Sequence, residues 1–356
     1  MGWTVEDLKK DYSKIKAICD SEGNPDRKLK LKYALLSISQ YIKYIDEESN
    51  ANYIYDKGED DIDVLLSSID KYKDYFGVVQ NHYDLLNNSL FDYDSTYYAK
   101  NYNTDIKEKE MYGLIHDMFK SCGKRVFNYY ITMEKNRKSL LNINKNLPST
   151  SGVIFPVPIV KKNYIEVGMK PKMIKDTLVT LTHEYGHSIG ALMNDDRYHL
   201  GDIFTELESY FFELVGLDYY YQRTNDEHYK CYLEHLININ YLRAKRVIDL
   251  KKACDNIDKD SSYKEQKNTC INNLKKIGYN FDKSSVNLEI NITYLYSYLC
   301  AVELFEIYRE DKELAIDIFE RIIKRDKGVS EYDSINNNIT LNKNMIKHIR
   351  RIKHVK

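Results

Sequence analysis

Pro171-Lys-Met-Ile-Lys-Asp-Thr-Leu-Val-Thr-Leu-Thr-His183-Glu184-Tyr-Gly-His187-Ser-Ile-Gly-Ala-Leu-Met193 sets both the architecture and the chemistry expected of this chain. Apolar residues recur at helical spacing through Ile174, Leu178, Leu181 and Ile189. A helix is therefore expected from Pro171, whose fixed φ suits a first turn, to about Met193, where Asn194-Asp195-Asp196 ends it. His183 and His187 lie four residues apart, about 40° from each other around such a helix, so both imidazoles can reach one ion. Zinc suits that nitrogen pair, and a catalytic zinc site keeps one position open for water. Glu184 stands about 100° round from His183, near the ion but able to stand off it, which suits a base. With nine histidines in the chain, His-Glu-x-x-His arises by chance in only about one or two such sequences per hundred.

A third ligand is sought downstream. Gly190 fits the pattern of zinc peptidases with a third histidine, but Met193 occupies the place of that histidine, so that class is rejected. The segment Phe204-Thr-Glu206-Leu-Glu208-Ser-Tyr-Phe-Phe-Glu213 is expected to form a second helix. Glu206 and Glu213, seven apart, share a face of it, while Glu208 points about 200° away from Glu206, toward an expected solvated side. Glu206 is the third-ligand candidate. Glu213 is placed to accept a hydrogen bond from a ligand histidine. Asp195, Asp196 and His199 are rival ligands that follow closely on the first helix.

Around this centre the chain is expected to be mainly α-helical. Five prolines and 14 glycines interrupt it, and helical periodicity runs through 29–44, 62–86, 108–141, 203–221 and 231–250. One stretch differs: Gly152-Val-Ile-Phe-Pro-Val-Pro-Ile-Val160, followed by Lys161-Lys-Asn-Tyr-Ile-Glu-Val167, is expected to be a short hairpin. Pro156 and Pro158 confine that strand to a sheet edge, where an extended peptide backbone can pair with it. An N-terminal helical region, 1–145, and a zinc-binding region, 146–356, are expected within one continuous fold.

Composition narrows the function class. Charges nearly cancel, 53 basic against 54 acidic, which argues against a nucleic-acid binder. No apolar run approaches the roughly 18 residues that span a bilayer, and the opening residues lack a signal-peptide core. Six scattered cysteines, with no Cys-x-x-Cys pair, suit free thiols in a reducing compartment. A cytoplasmic protein with no membrane partner is expected. The 33 tyrosines carry no functional message by number alone.

The sequence resembles the thimet oligopeptidase and oligoendopeptidase F family of zinc peptidases over roughly residues 150–310. The likeness lies in His183-Glu-Tyr-Gly-His187, in Glu206-x-x-Ser209-x-x-x-Glu213, and in the tyrosine-rich Tyr294-Leu-Tyr-Ser-Tyr298. It implies a helical fold holding one zinc per chain and cleavage of short peptides inside a channel. By position, Tyr298 would donate to the oxyanion at the scissile carbonyl, and Tyr294 and Tyr296 would line the substrate site. The chain departs from the pattern in several ways, among them a gap between His187 and Glu206 shorter than the family's usual one. Val286–Ile292 carries no histidine, Asn291 stands where a tyrosine is expected, and only 182 residues precede the motif. The spacing of 18 residues between His187 and Glu206 equals that of the one-zinc aminopeptidases, but no Gly-x-Met-Glu-Asn segment accompanies it. A zinc exopeptidase and a non-catalytic helical binding protein with a relic site are the alternative expectations.

Overall fold

A computed structural model describes residues 2–48, 61–88, 105–157, 159, 161–194, 202–279, 286–324 and 329–354. Helices dominate. α1 (Val5–Ser21) and α2 (Pro25–Glu48) form a hairpin, followed by α3 (Asp61–Ser68) and α4 (Phe76–Asn88). The periodic stretch 62–86 is thus two helices, joined by a turn and a short 3-10 segment at Lys73–Tyr75. The stretch 108–141 divides likewise into α5 (Glu108–Ser121), α6 (Lys124–Glu134) and α7 (Arg137–Leu140). Gly123 separates the first two with φ +97°, a backbone conformation that costs a glycine little.

Three strands follow: β1 (Leu141–Asn144), β2 (Gly152–Val157) and β3 (Lys162–Gly168), in the order β1-β3-β2. β2 and β3 form the expected antiparallel hairpin, with Ile154 opposite Ile165 and Pro156 opposite Asn163. β2 is an edge strand, as the prolines require; Pro158 lies outside the described residues. β1 was not expected. It pairs parallel with β3, Leu141 opposite Ile165, and makes β3 the central strand.

Next comes α8 (Ile174–Met193), then α9 (Asp202–Thr224), α10 (Glu227–Cys254), α11 (Tyr263–Lys276), α12 (Leu288–Glu310), α13 (Lys312–Ile323), α14 (Glu331–Asn336) and α15 (Met345–His354). α8 starts three residues later than expected. Pro171 lies instead in a turn, where Met173 N–H donates to Lys170 O at 3.0 Å and Lys172 has φ +72°, the geometry of a type II turn. Asn194 caps the far end, its N–H donating to Gly190 O. Asp195, Asp196 and His199 lie outside the described residues.

One large apolar core runs from Ile62 to Ile352 and takes in α8, α9 and α12. A smaller one joins α1 and α2 to the sheet through Trp3, Leu8, Ile15, Phe155, Val157 and Tyr164. There the Trp3 indole N–H donates to Ile165 O at 2.8 Å, and its ring meets Phe155 and Tyr164 edge-on at 5.4 and 5.6 Å. The mainly helical architecture with one small sheet against α8 is therefore the expected one. All six cysteines are free thiols, and no helix among the described residues is long and apolar enough to cross a membrane.

Candidate metal centre

α8 is buried along almost its whole length, polar residues included. Its hydroxyls find backbone partners on either side. Thr177 donates to Gly168 O at 2.9 Å and Thr180 to Ser149 O at 3.0 Å, tying α8 to the sheet side, while Thr182 shares a 2.7 Å hydrogen bond with Tyr220 of α9. Lys175 pairs with Asp226, and Asp176 lies 3.4 Å from His228, which fastens the start of α8 to α10. Buried polar groups held this way fix the helix rotationally, because any turn would strand several donors at once.

Glycine sets the distance to α9. A Cβ on Gly186 would lie 2.7 Å from the Glu208 carbonyl oxygen, and one on Gly190 would collide with the Glu208 carboxyl group. The two helices therefore pack backbone against backbone at the motif, and this brings Glu206 across to the histidines. Ligand atoms of His183, His187 and Glu206 all lie within 4.8 Å of one another. Glu206 Oε2 is 3.8 Å from His183 Nε2. Glu213, as expected from its place seven residues on, has its Oε2 2.7 Å from His183 Nδ1. That bond sets the tautomer, leaving Nε2 as the free ligand atom. Two imidazoles and one carboxylate converging from two rigid helices fit a zinc ion with an open position.

Glu208 departs from expectation. It is fully buried rather than solvated, because α9 is covered on all sides from Leu207 to Val215. One carboxylate oxygen lies 4.0 Å from His187 Nδ1, so each histidine has a glutamate on the side away from the ligand cluster.

The same architecture occurs in solved peptidases. A protein of Bacillus anthracis assigned as an oligoendopeptidase F superposes with a TM-score of 0.51 at 14% identity, over 92% of this chain and 62% of its own. A second oligoendopeptidase F assignment gives 0.50 at 11% identity, and PZ peptidase A with an inhibitor gives 0.51 at 11%; each covers 98% of this chain and 66% of the other. The fold is that of oligoendopeptidase F. The chain spans less than two thirds of the length of each of these structures. No family model matches it, and no curated protein does so by sequence.

Within this fold Glu184 is 5% exposed and sits beneath the start of the edge strand, where a Cβ on Gly152 would lie 2.5 Å from its Oε1. Burial raises its carboxyl to about 7; Glu206 and Glu213 push the same way and His183 opposes them. Burial disfavours charge on His183, yet the Glu213 bond, with Glu184 and Glu206, outweighs it and carries the imidazolium up to about 9. Burial also raises the Glu206 carboxyl, against His183, Tyr294 and Arg243. A pocket that retains positive charge so readily favours a cation in the proton's place.

α12 supplies the tyrosines, and only one of them reaches the cluster. Tyr294 is half-buried near Glu206, and burial together with that carboxylate pushes its phenol up. Tyr298, one turn on, is fully buried behind Tyr210, whose ring it meets edge-on at 5.8 Å. Its hydroxyl is shielded, and the phenol nearer the ligand cluster is that of Tyr294. Tyr296 points the opposite way, its ring 4.8 Å from that of Tyr75 and its hydroxyl receiving Asn336, so a substrate-lining role does not fit it. Sequence reasoning missed Tyr210, whose ring lies 5.8 Å from His183 and 6.3 Å from Tyr294. It also missed Arg243 of α10, whose Nη1 donates to the Tyr210 hydroxyl at 2.9 Å. Arg243 lies in no motif, and Tyr210, though inside the Glu206–Glu213 segment, sits at a position that the carboxylate spacing does not single out.

Proposed function

We propose that this chain is a zinc-dependent peptidase that hydrolyses peptide bonds of short peptides, with His183, His187 and Glu206 holding the metal and Glu184 as general base. The observation that carries this reading is the convergence of the three ligand atoms within 4.8 Å, with Glu213 fixing His183 behind them. The peptidase identity of the proteins sharing the fold supports it.

Zinc, when bound, supplies Lewis-acid polarisation of a carbonyl and lowers the pKa of water to about 7. The residues of the chain do the rest. The β2 edge receives the extended peptide backbone and lays it over Glu184. Glu184, with a carboxyl near neutrality in its buried setting, takes a proton from the attacking water and returns it to the departing amine. Tyr294 donates its hydroxyl to the oxygen that gains charge. Glu213 holds the His183 ring in one orientation throughout. A cytoplasmic location belongs to the same proposal, supported by the six free thiols.

Metal content and cleavage of an internally quenched peptide test this together. One zinc per chain is expected, with cleavage lost to a chelator and restored by zinc. Stoichiometric zinc without cleavage of a varied peptide pool would point to a relic site, and a purified protein unable to take up zinc would refute the assignment.

A further inference from the structure

Arg243 adjoins the proposed site on the side of the tyrosines. Its guanidinium carbon is 4.6 Å from the centre of the Tyr294 ring, and Nη1 donates to Tyr210 and, at 3.1 Å, to Asn240 Oδ1. Tyr294 in turn lies near enough to Glu206 for that carboxylate to help push its phenol up, so one aromatic ring separates this cation from a proposed metal ligand. Nε and Nη2 have no hydrogen-bond partner among the described residues, and no carboxylate there pairs with the side chain. Several other arginines of the chain are paired with carboxylates: Arg309 with Asp218 at 2.6 Å, Arg351 with Glu306 at 2.5 Å, and Arg125 with Asp317 and Glu320.

An arginine partly withdrawn from water, held rigid by two hydrogen bonds and a ring, with two donors in reserve, is arranged to receive an anion. The peptide proposed as substrate carries one obligatory anion, the carboxylate at its C-terminus. An extended chain advances about 3.3–3.6 Å per residue, so a carboxylate one or two residues past the scissile bond spans the gap set by a single ring. We infer that Arg243 receives the carboxylate at the C-terminal end of the substrate and directs cleavage to bonds near that end. This inference rests on the peptidase reading above and adds the substrate class to it.

The test uses zinc-loaded protein and matched quenched peptides ending in a free acid, in an amide, or in an amide preceded by Asp. Wild type should favour the acid over the plain amide by about 10- to 100-fold in kcat/KM, chiefly through KM, as one charge-assisted contact predicts. That ratio should collapse toward one in Arg243→Gln and take an intermediate value in Arg243→Lys, which keeps the charge but not the fork. Recovery by the Asp amide would show that a side-chain carboxylate serves equally; no recovery would restrict the contact to the main chain. Equal cleavage of acid and amide by wild type, or an Arg243→Gln defect identical for both, would overturn the inference and leave the peptidase reading standing. If wild type cut none of them, the peptidase reading would fail. Calorimetric binding of a short acid and its amide to wild type and Arg243→Gln would then still decide the role of Arg243.

Discussion

α5 and α8 belong to one core but are built on opposite plans. α5 buries Met111, Leu114, Ile115, Met118 and Phe119 on a single stripe and leaves Glu108, Lys109, Glu110 and Lys120 to solvent, the usual design of a helix that serves stability. α8 has no such division. It takes Lys175, Asp176, Thr177, Thr180, Thr182, Glu184, His187 and Ser188 inside together with its apolar residues. Each buried polar group costs desolvation unless it is bonded, so a helix of this kind persists in a fold only with partners on every side. The contrast teaches that polarity retained inside a core, rather than exposed at a surface, sets apart the helix that carries the proposed site.

If that contrast is sound, Glu184→Gln should strike activity and spare structure. Turnover is expected to fall by about 10²–10⁴-fold with zinc content and melting temperature nearly unchanged; full activity in this variant would break the comparison outright. His82 of α4 probes the converse case, a buried polar group distant from the motif. It is fully buried, and burial carries its imidazole down to about 4, Asn342 only partly opposing. Because the folded value lies below the unfolded one, stability is complete above about pH 6.5 and is lost as pH falls toward 4, by up to about 3 kcal/mol. Urea unfolding at pH 7.5 and 4.5 measures that loss, and His82→Gln should shrink it. Glu213→Gln should weaken zinc binding about 10- to 100-fold, read by competition with a chromogenic chelator. Gly190→Ala drives a methyl group into Glu208 and should cost about 1–3 kcal/mol as overpacking does. Gly113→Ala, on the exposed side of α5 with nothing within 4 Å, should instead stabilise by about 0.5–1 kcal/mol. Equal effects of the two glycine changes in thermal melts would erase the distinction between the helices.

Much of this contrast is legible in the chain itself, for a definite reason. Helical phase alone places His183, His187 and Glu184 relative to one another, and Glu206 relative to Glu213; the 2.7 Å bond from Glu213 to His183 follows from seven-residue spacing. Phase does not say which sides of a helix are covered. Glu208 was therefore expected in water, and Tyr298 was expected at the site although the next turn back, at Tyr294, is the one that reaches Glu206. β1 escaped because Leu141-Asn-Ile-Asn144 is four residues long, and its strand character comes from β3 beside it rather than from its own pattern. Arg243 reaches the site only because α10 packs beside α9 and α12, a tertiary fact with no local signature.

The bond from Trp3 to Ile165 joins residues 162 apart, and Trp3 is the single tryptophan of the chain. Its fluorescence is therefore an intrinsic clock for one event, the docking of the α1–α2 hairpin onto the central strand. Contacts of such long range bear a heavy entropic cost before they form. In refolding, the blue shift of that one fluorophore is expected to trail the recovery of helical ellipticity, and the interval between the two signals times this long-range docking.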